Sequence, residues 1–414
     1  MSLNPISAFT DVPLPEEALT RFFAEWQLEP QRELVALDSA LGRCLFEDVR
    51  APGDLPAFVR STVDGYAVRA VDVAGASRAA PIVLRVIGEV PMGQEPQVAV
   101  LPGTAVKIHT GAMLPPGADG VIMVEWTSLR DDHHVIVTQR VASGGNSIAR
   151  GEDVVAGQLL LTKGRRLRPD DIGGLAAIGL AQVPVARRPL VALISSGDEL
   201  VPAYREPGPA EVRDINGALL AALVQEAGCI PWHLGISRDD PVQFRQLVHT
   251  ALASADAVIV SGGSSVGTRD LTRAILEELP DSRIVVHGVA VRPGKPTLLA
   301  YVGKHPFFGL PGNPVSAFAT FRLFVRPALG RFLGSMEEQR FTVRARLKRP
   351  IPPSDGREDY VQVRVFEDIG EIVAEPVLGK SNLIFTVVRA NGVVRMPATV
   401  KGIPEGQMVD VWPY

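Results

Sequence analysis

The sequence predicts a multidomain α/β-plus-β protein, and three observations carry that prediction. Four apolar runs break into Gly- or Pro-rich loops within about 130 residues, as strands do when their ends share one crevice of an open α/β sheet. From about residue 48 the texture changes to short β-rich segments separated by Gly and Pro. After Gly334 the chain alternates apolar and polar residues in short runs, which predicts a small β domain at 334–414.

Taken in order, Pro15 is followed by acids and then by Ala18, Leu19, Phe22 and Phe23, the pattern of an amphipathic helix with Pro in its first turn. Residues 32–45 read as a second helical stretch. Residues 48–149 carry the strand-like runs VDGYAV, IVLRVIGEV, AVKIHTG, GVIMVEW and HVIVTQRV. Helical texture returns in LRPDDIGGLAAIGLAQV, so the β domain reads as an insertion in a discontinuous helical domain, 1–47 and 150–186. Residues 187–333 alternate strands with helices at about 217–227, 241–252 and 271–279, the pattern of a mostly parallel sheet. The tail then reads FTVRARL, YVQVRVF, EIVAEPV, VVRMPA and MVDVWPY, with glycines at its turns.

A chain of 414 residues exceeds one core, so two to four domains are expected. Lys plus Arg total 42 against 46 Asp plus Glu, a net charge of −4, which gives no reason to invoke nucleic acid or an anionic membrane. Cys44 and Cys229 stand far apart with no partner spacing, which argues against a disulfide framework or a Cys-type zinc site and fits a reducing cytoplasm. The first residues lack a basic segment followed by an apolar one, and no run approaches the roughly 18 apolar residues of a membrane span. A soluble, cytoplasmic protein is the expectation.

The loops carry the chemistry. In DAVIVSGGSSVGTRD, Ser261, Gly262, Gly263, Ser264 and Ser265 offer N–H and hydroxyl donors suited to phosphate oxygens, and Asp270 suits a divalent cation. Helix capping competes with that reading. In VALISSGDELV, Asp198 and Glu199 follow a predicted strand, with Asp214 beyond them; such acids hold a cation against a phosphate or act as caps. The same two readings apply to Asp239 and Asp240. Arg292 and Lys295 in RPGKP form a compact cationic turn suited to an oxyanion, with Pro293 and Pro296 limiting its loss of freedom on binding. Pro311, Gly312 and Asn313 form a turn that opens a helix, with Ser316 in its first turn. In the β insertion, Asp64, Thr110 and Glu125 stand out, although Asp64-Gly65 also reads as a hairpin turn. The seven histidines show no ligand spacing.

In order along the chain, RSTVDGYAV, HTGAMLPPGADGVIMVE, GEDV, SSGDEL, SGGSSVGTRD, RPGKP and GLPGNPVSAF resemble the molybdopterin molybdenumtransferase family of molybdenum cofactor biosynthesis, which is related to the E domain of gephyrin. The resemblance covers nearly the whole chain. It implies a homodimer of four-domain chains, with a three-layer molybdopterin-binding α/β domain at 187–333 and a small C-terminal β-barrel domain. It implies insertion of molybdenum from molybdate into adenylylated molybdopterin, with Mg²⁺-dependent hydrolysis of the adenylate and release of AMP. Arg292, Lys295 and Ser316 would hold the oxyanion, joined by Arg357 and Ser381 of the tail; Ser261 to Ser265 would cradle the pterin phosphate. Glu199, Asp239 and Asp270 match acidic positions, Glu199 and Asp270 being the expected metal ligands, and Asp64 and Thr110 would act from the partner subunit. A molybdopterin adenylyltransferase is the implied macromolecular partner.

Three departures stand out. Val59 replaces the acid of the usual PPFDRS, Gly288 and Arg292 occupy two common Lys positions, and Ile215 and Gly217 stand where Ser is frequent. Arg292 keeps the charge but presents a planar fork. A pterin-binding scaffold without turnover, or a tungstate-inserting homologue, are the alternatives.

Overall fold

The computed structural model describes residues 12–26, 28–238, 240–262, 266–335, 341–353 and 356–414. The chain divides into two compact units, one of Asp48–Thr162 with Pro169–Ala181 and one of Met1–Glu47, Lys163–Arg168 and Gln182–Tyr414.

In the first of these units the strand order is Gly120–Met123, Gly65–Val68, Thr104–Ile108, Ile82–Val90, His134–Val137, Thr127–Asp131. Because side chains alternate across a strand, Tyr66 and Val68 pack into one apolar cluster while Ala67 packs into another on the opposite face. Asp64-Gly65 is not a hairpin turn. Gly65 pairs on both sides, with Ile108 and Met123, and a Cβ there would lie 1.8 Å from the Ile122 carbonyl oxygen. The glycine is required by backbone approach. Helix Pro169–Ala177 begins with Pro, Asp170 and Asp171, as its composition predicts, and clusters with this β unit.

The second unit opens with helix Pro15–Glu25, whose Pro starts the first turn and whose Ala18 and Phe22 are fully buried. Phe22 stacks on Tyr301 at 4.5 Å, and the Tyr301 hydroxyl donates to the Phe22 carbonyl. Residues 32–45 are not helical. Arg32–Ala36 is a strand paired antiparallel with Gln182–Ala186, and Leu37–Ser39 a single 3-10 turn. A ladder partner some 150 residues away overrides the local helix propensity of this segment.

At the centre of this unit is a six-stranded sheet in the order Ile230–Ser237, Leu190–Ser196, Ala257–Gly262, His305–Pro311, Leu298–Val302, Ser282–His287. The first four strands are parallel, Leu298–Val302 runs antiparallel to its neighbours on both sides, and Ser282–His287 therefore points the same way as the first four. Val191 and Leu193 point to a layer containing Leu220, Val224, Phe318 and Phe324, whereas Ala192 and Ile194 point to one containing Phe244, Val248, Ile275 and Leu276. Three layers result, with helices Ile215–Glu226 and Pro314–Thr320 on one face and Pro241–Ser254 and Val266–Glu278 on the other.

The tail closes into a five-stranded barrel of Val343–Leu347, Glu358–Asp368, Glu371–Pro376, Gly392–Met396 and Met408–Pro413. Closure removes the exposed edges that an open sheet this small would present. Val291–Arg292, from the α/β layer, adds to the barrel by pairing in parallel with Glu358 and Asp359.

Candidate active site

The four parallel strands end in register, with Ser196 level with Ser237 and with Gly262, and Gly262 level with Pro311. Ser195, Ser196, Ser237 and Ser261 are all buried at this sheet edge. Such an edge is where open α/β sheets bind ligands.

Sequence reasoning missed the residue that ties two of these ends together. The Asn216 amide nitrogen donates to Ser261 Oγ at 2.6 Å and to the Gly312 carbonyl at 2.8 Å, and Asn216 is only 7% exposed. Its available signal was a polar residue one position inside a helix whose other early residues are apolar. Asp214 just before it is a cap, accepting from the Gly217 amide at 2.8 Å, and Asp240 likewise caps its helix through Val242. For both acids the capping interpretation holds.

Gly312 leads into Asn313 and helix Pro314–Thr320. Asn313 donates to Ser381 Oγ at 3.0 Å, and the Val315 amide donates to the Ser381 carbonyl, so the tail's GKSN loop docks on this turn. Ser316 is buried and its carbonyl accepts from the Thr320 hydroxyl. The RPGKP turn packs on the same helix: a Cβ at Gly294 would lie 2.3 Å from Thr320 Cγ2 and 3.8 Å from the Ser316 carbonyl oxygen. Thr297 donates to the Gly294 carbonyl and the Val289 amide to the Lys295 carbonyl, which fixes the turn from within.

Arg292 and Lys295 are exposed on this turn. Arg292 Nη1 lies 3.7 Å from Asp359 Oδ2, and the Asp359 carboxylate is almost fully buried. Its neighbour Glu358, also buried, takes Arg395 at 2.8 Å and the Tyr360 hydroxyl. That bond to Glu358 holds the Arg395 guanidinium above its usual range. Arg357 is half-buried directly before these two acids.

Glu199 is exposed just past strand Leu190–Ser196, and its carboxylate lies over Gly197, where a Cβ would meet Oε2 at 2.8 Å. Asp239, Gly263, Ser264 and Ser265 lie outside the described residues. Asp270 falls in helix Val266–Glu278, with its side chain outside the description. Among the described residues no group of three or more His, Cys, Asp or Glu is arranged to hold a metal.

The remaining sequence candidates belong to the β unit. Asp64 Oδ1 accepts the Thr110 amide at 2.9 Å, and that bond is the first cause holding its carboxyl below the usual range, with His109 contributing. His109 Nδ1 lies 3.6 Å from the same oxygen and its Nε2 lies 2.7 Å from Glu89 Oε1. No sequence spacing connects residues 64, 89 and 109; strand pairing does. Glu125 sits in the 3-10 turn Val124–Trp126.

Comparison with known proteins gives a consistent picture. Three family descriptions match in order: MoeA N-terminal region (domain I and II) over residues 14–179, probable molybdopterin binding domain over 192–331, and MoeA C-terminal region (domain IV) over 344–414. A molybdopterin molybdenumtransferase of Bacillus subtilis is 35% identical over 403 residues, covering 96% of this chain and 94% of its own. Molybdopterin molybdenumtransferase 2 of Mycobacterium tuberculosis is 33% identical, covering 91% and 94%. A crystal structure of a molybdopterin biosynthesis MoeA protein from Pyrococcus horikoshii superposes with a TM-score of 0.85 at 38% identity, covering 97% of this chain and 99% of that one.

Proposed function

The chain belongs to the molybdopterin molybdenumtransferase family, enzymes of molybdenum cofactor biosynthesis, and from that membership we propose that it inserts molybdenum from molybdate into adenylylated molybdopterin. Hydrolysis of the adenylate, dependent on Mg²⁺, releases AMP and accompanies the transfer.

One observation carries this reading. Asn216 joins Ser261 to Gly312, Asn313 joins Ser381, and Gly294 packs on Ser316 and Thr320, so four loops of different sequence origin form one continuous wall. Dianionic molybdate suits the two exposed cations of that wall, Arg292 and Lys295, supplemented by Ser316, Ser381 and Arg357. The strand-end hydroxyls and amides beside Ser261 suit the pterin phosphate. Fixed donors of this kind stabilise charge that develops during transfer without having to reorganise.

The donor set also fits Mg²⁺. This cation usually takes one or two carboxylates and leaves its other positions to phosphate oxygens and water. Glu199, exposed at the strand end, supplies such a carboxylate, and Asp270 is the proposed second ligand. When bound, the cation would neutralise charge on the phosphates. Asp64 and Thr110 act on the same substrate in a homodimer, and a molybdopterin adenylyltransferase supplies that substrate. The domains we propose are 1–47 with 150–186, 48–149, 187–333 and 334–414. Among the described residues no helix is long and apolar enough to cross a membrane, which is compatible with a cytoplasmic site of action.

Purified protein supplied with adenylylated molybdopterin, molybdate and Mg²⁺ is expected to release AMP, measured chromatographically. Chelation of the cation stops release, and Lys295→Ala slows it about 100-fold. Pterin binding without AMP release would instead identify a scaffold, and faster turnover with tungstate would reassign the oxyanion.

A further inference from the structure

The β unit gathers four charged or titratable side chains at one end of three neighbouring strands of its sheet. Ile82–Val90 and Thr104–Ile108 run parallel with Glu89 level with Lys107, and Ile108 pairs with Gly65, so Asp64, Glu89, Lys107 and His109 converge where these strands meet. Glu89 Oε1 receives both Lys107 Nζ at 3.1 Å and His109 Nε2 at 2.7 Å. An ionised carboxylate only accepts hydrogen bonds, so Nε2 must carry a proton and donate. Nδ1 is then the ring atom facing Asp64, 3.6 Å from the oxygen that the Thr110 amide holds, and it attracts that carboxylate only when it too carries its proton, the ring being an imidazolium between two carboxylates.

We propose that His109 is a positioning residue for Asp64, itself oriented by Glu89, and that it holds the Asp64 carboxylate in the geometry used for the reaction. This rests on the reading of Asp64 as a reaction residue. The arrangement follows a general design in which a carboxylate fixes the plane of an imidazole ring, and the ring in turn fixes a functional group. The Asp64 side chain is 63% exposed, and apart from His109 its restraint comes from one residue, Thr110, through its backbone amide and its side chain. A ring clamped by Glu89 supplies the second restraint.

The two conservative replacements separate this role from a merely structural one. Asn places its amide where Nδ1 stood, beside Asp64; Gln places its amide where Nε2 stood, beside Glu89. We expect His109→Ala to lower kcat for AMP release about tenfold with the KM for molybdate unchanged, as loss of an orienting partner does. His109→Asn restores most of the rate and His109→Gln does not. Selective ¹³C labelling of aspartate gives a readout independent of turnover: in His109→Ala the Asp64 carboxyl titrates at higher pH than in the parent protein.

The inference is overturned if Asp64→Ala is inactive while His109→Ala keeps the parent rate, if Gln rescues better than Asn, or if the Asp64 titration does not move. Parent-level AMP release by Asp64→Ala is a different failure, because it removes the functional reading of Asp64 on which the proposal rests.

Discussion

Asn216 donates from one amide nitrogen to both Ser261 Oγ and the Gly312 carbonyl, at 2.6 Å and 2.8 Å. This single buried group fastens the end of strand Ala257–Gly262 to the loop that opens helix Pro314–Thr320. Asn216→Ala leaves both partners without that donor, at a cost of about 1–3 kcal/mol. Urea unfolding will show a lower midpoint with an unchanged slope. Asn216→Asp destabilises further, because a carboxylate oxygen would face the Gly312 carbonyl oxygen. An unshifted midpoint in both variants would show that the bridge does not tie the loops.

Gly294 has a φ of +122° and no room for a Cβ, the nearest atom being Thr320 Cγ2 at 2.3 Å. Gly294→Ala is expected to cost about 2–3 kcal/mol through combined clash and backbone strain. Thr320→Ser removes that methyl and keeps the hydroxyl that bonds the Ser316 carbonyl. The pair Gly294→Ala with Thr320→Ser therefore recovers the steric part only, which thermal melts of the two singles and the double will resolve.

Arg292 stands where the family commonly has Lys, and its guanidinium lies 3.7 Å from the buried Asp359 carboxylate. A fork can face the acid and the incoming oxyanion together, whereas an ammonium is a point charge. Arg292→Lys is therefore expected to raise the KM for molybdate about threefold with little change in kcat, the pattern of lost uniform binding. Equal KM values would remove Arg292 from the oxyanion set.

Burial pushes the Cys229 thiol from 9.0 up to about 12, against the opposing pull of Arg166 and Arg188. Between those values the unfolded chain loses a proton that the folded chain keeps. Stability contributed by the protonated thiol is thus complete below pH 9.0 and falls as pH rises toward about 12. The slope approaches about 1.4 kcal/mol per pH unit. The Tyr414 phenol, part of an exposed residue but also pushed up by desolvation, adds a loss of the same sign at higher pH. Denaturant unfolding at pH 8, 9 and 10 will give a flatter profile for Cys229→Ala than for the parent chain.

Much of the architecture was legible because it is local. Pro15 with Glu16 and Glu17 starts a helix, Asp214 and Asp240 cap theirs, and each strand-like run of the β insertion forms a strand. Residues 32–45 were misread because Arg, Leu and Ala favour a helix locally, while the pairing with Gln182–Ala186 is invisible along the chain. The RPGKP and GLPGNP segments were legible as turns, since glycine and proline declare turn chemistry by identity.

Sequence alone determined which side chains of this protein suit phosphate and oxyanion chemistry, and the resemblance of their order to one family. The tertiary structure decided which of them share a wall. Asn216 bridges Ser261 and Gly312, and Ser381 meets Asn313, across separations of 45, 96 and 68 residues. His109 reaches Asp64 and Glu89 only because the termini of three neighbouring strands meet. The physical reason is that hydrogen bonds and ion pairs act over a few ångströms. Chain separation does not predict such proximity; sheet register and barrel closure create it.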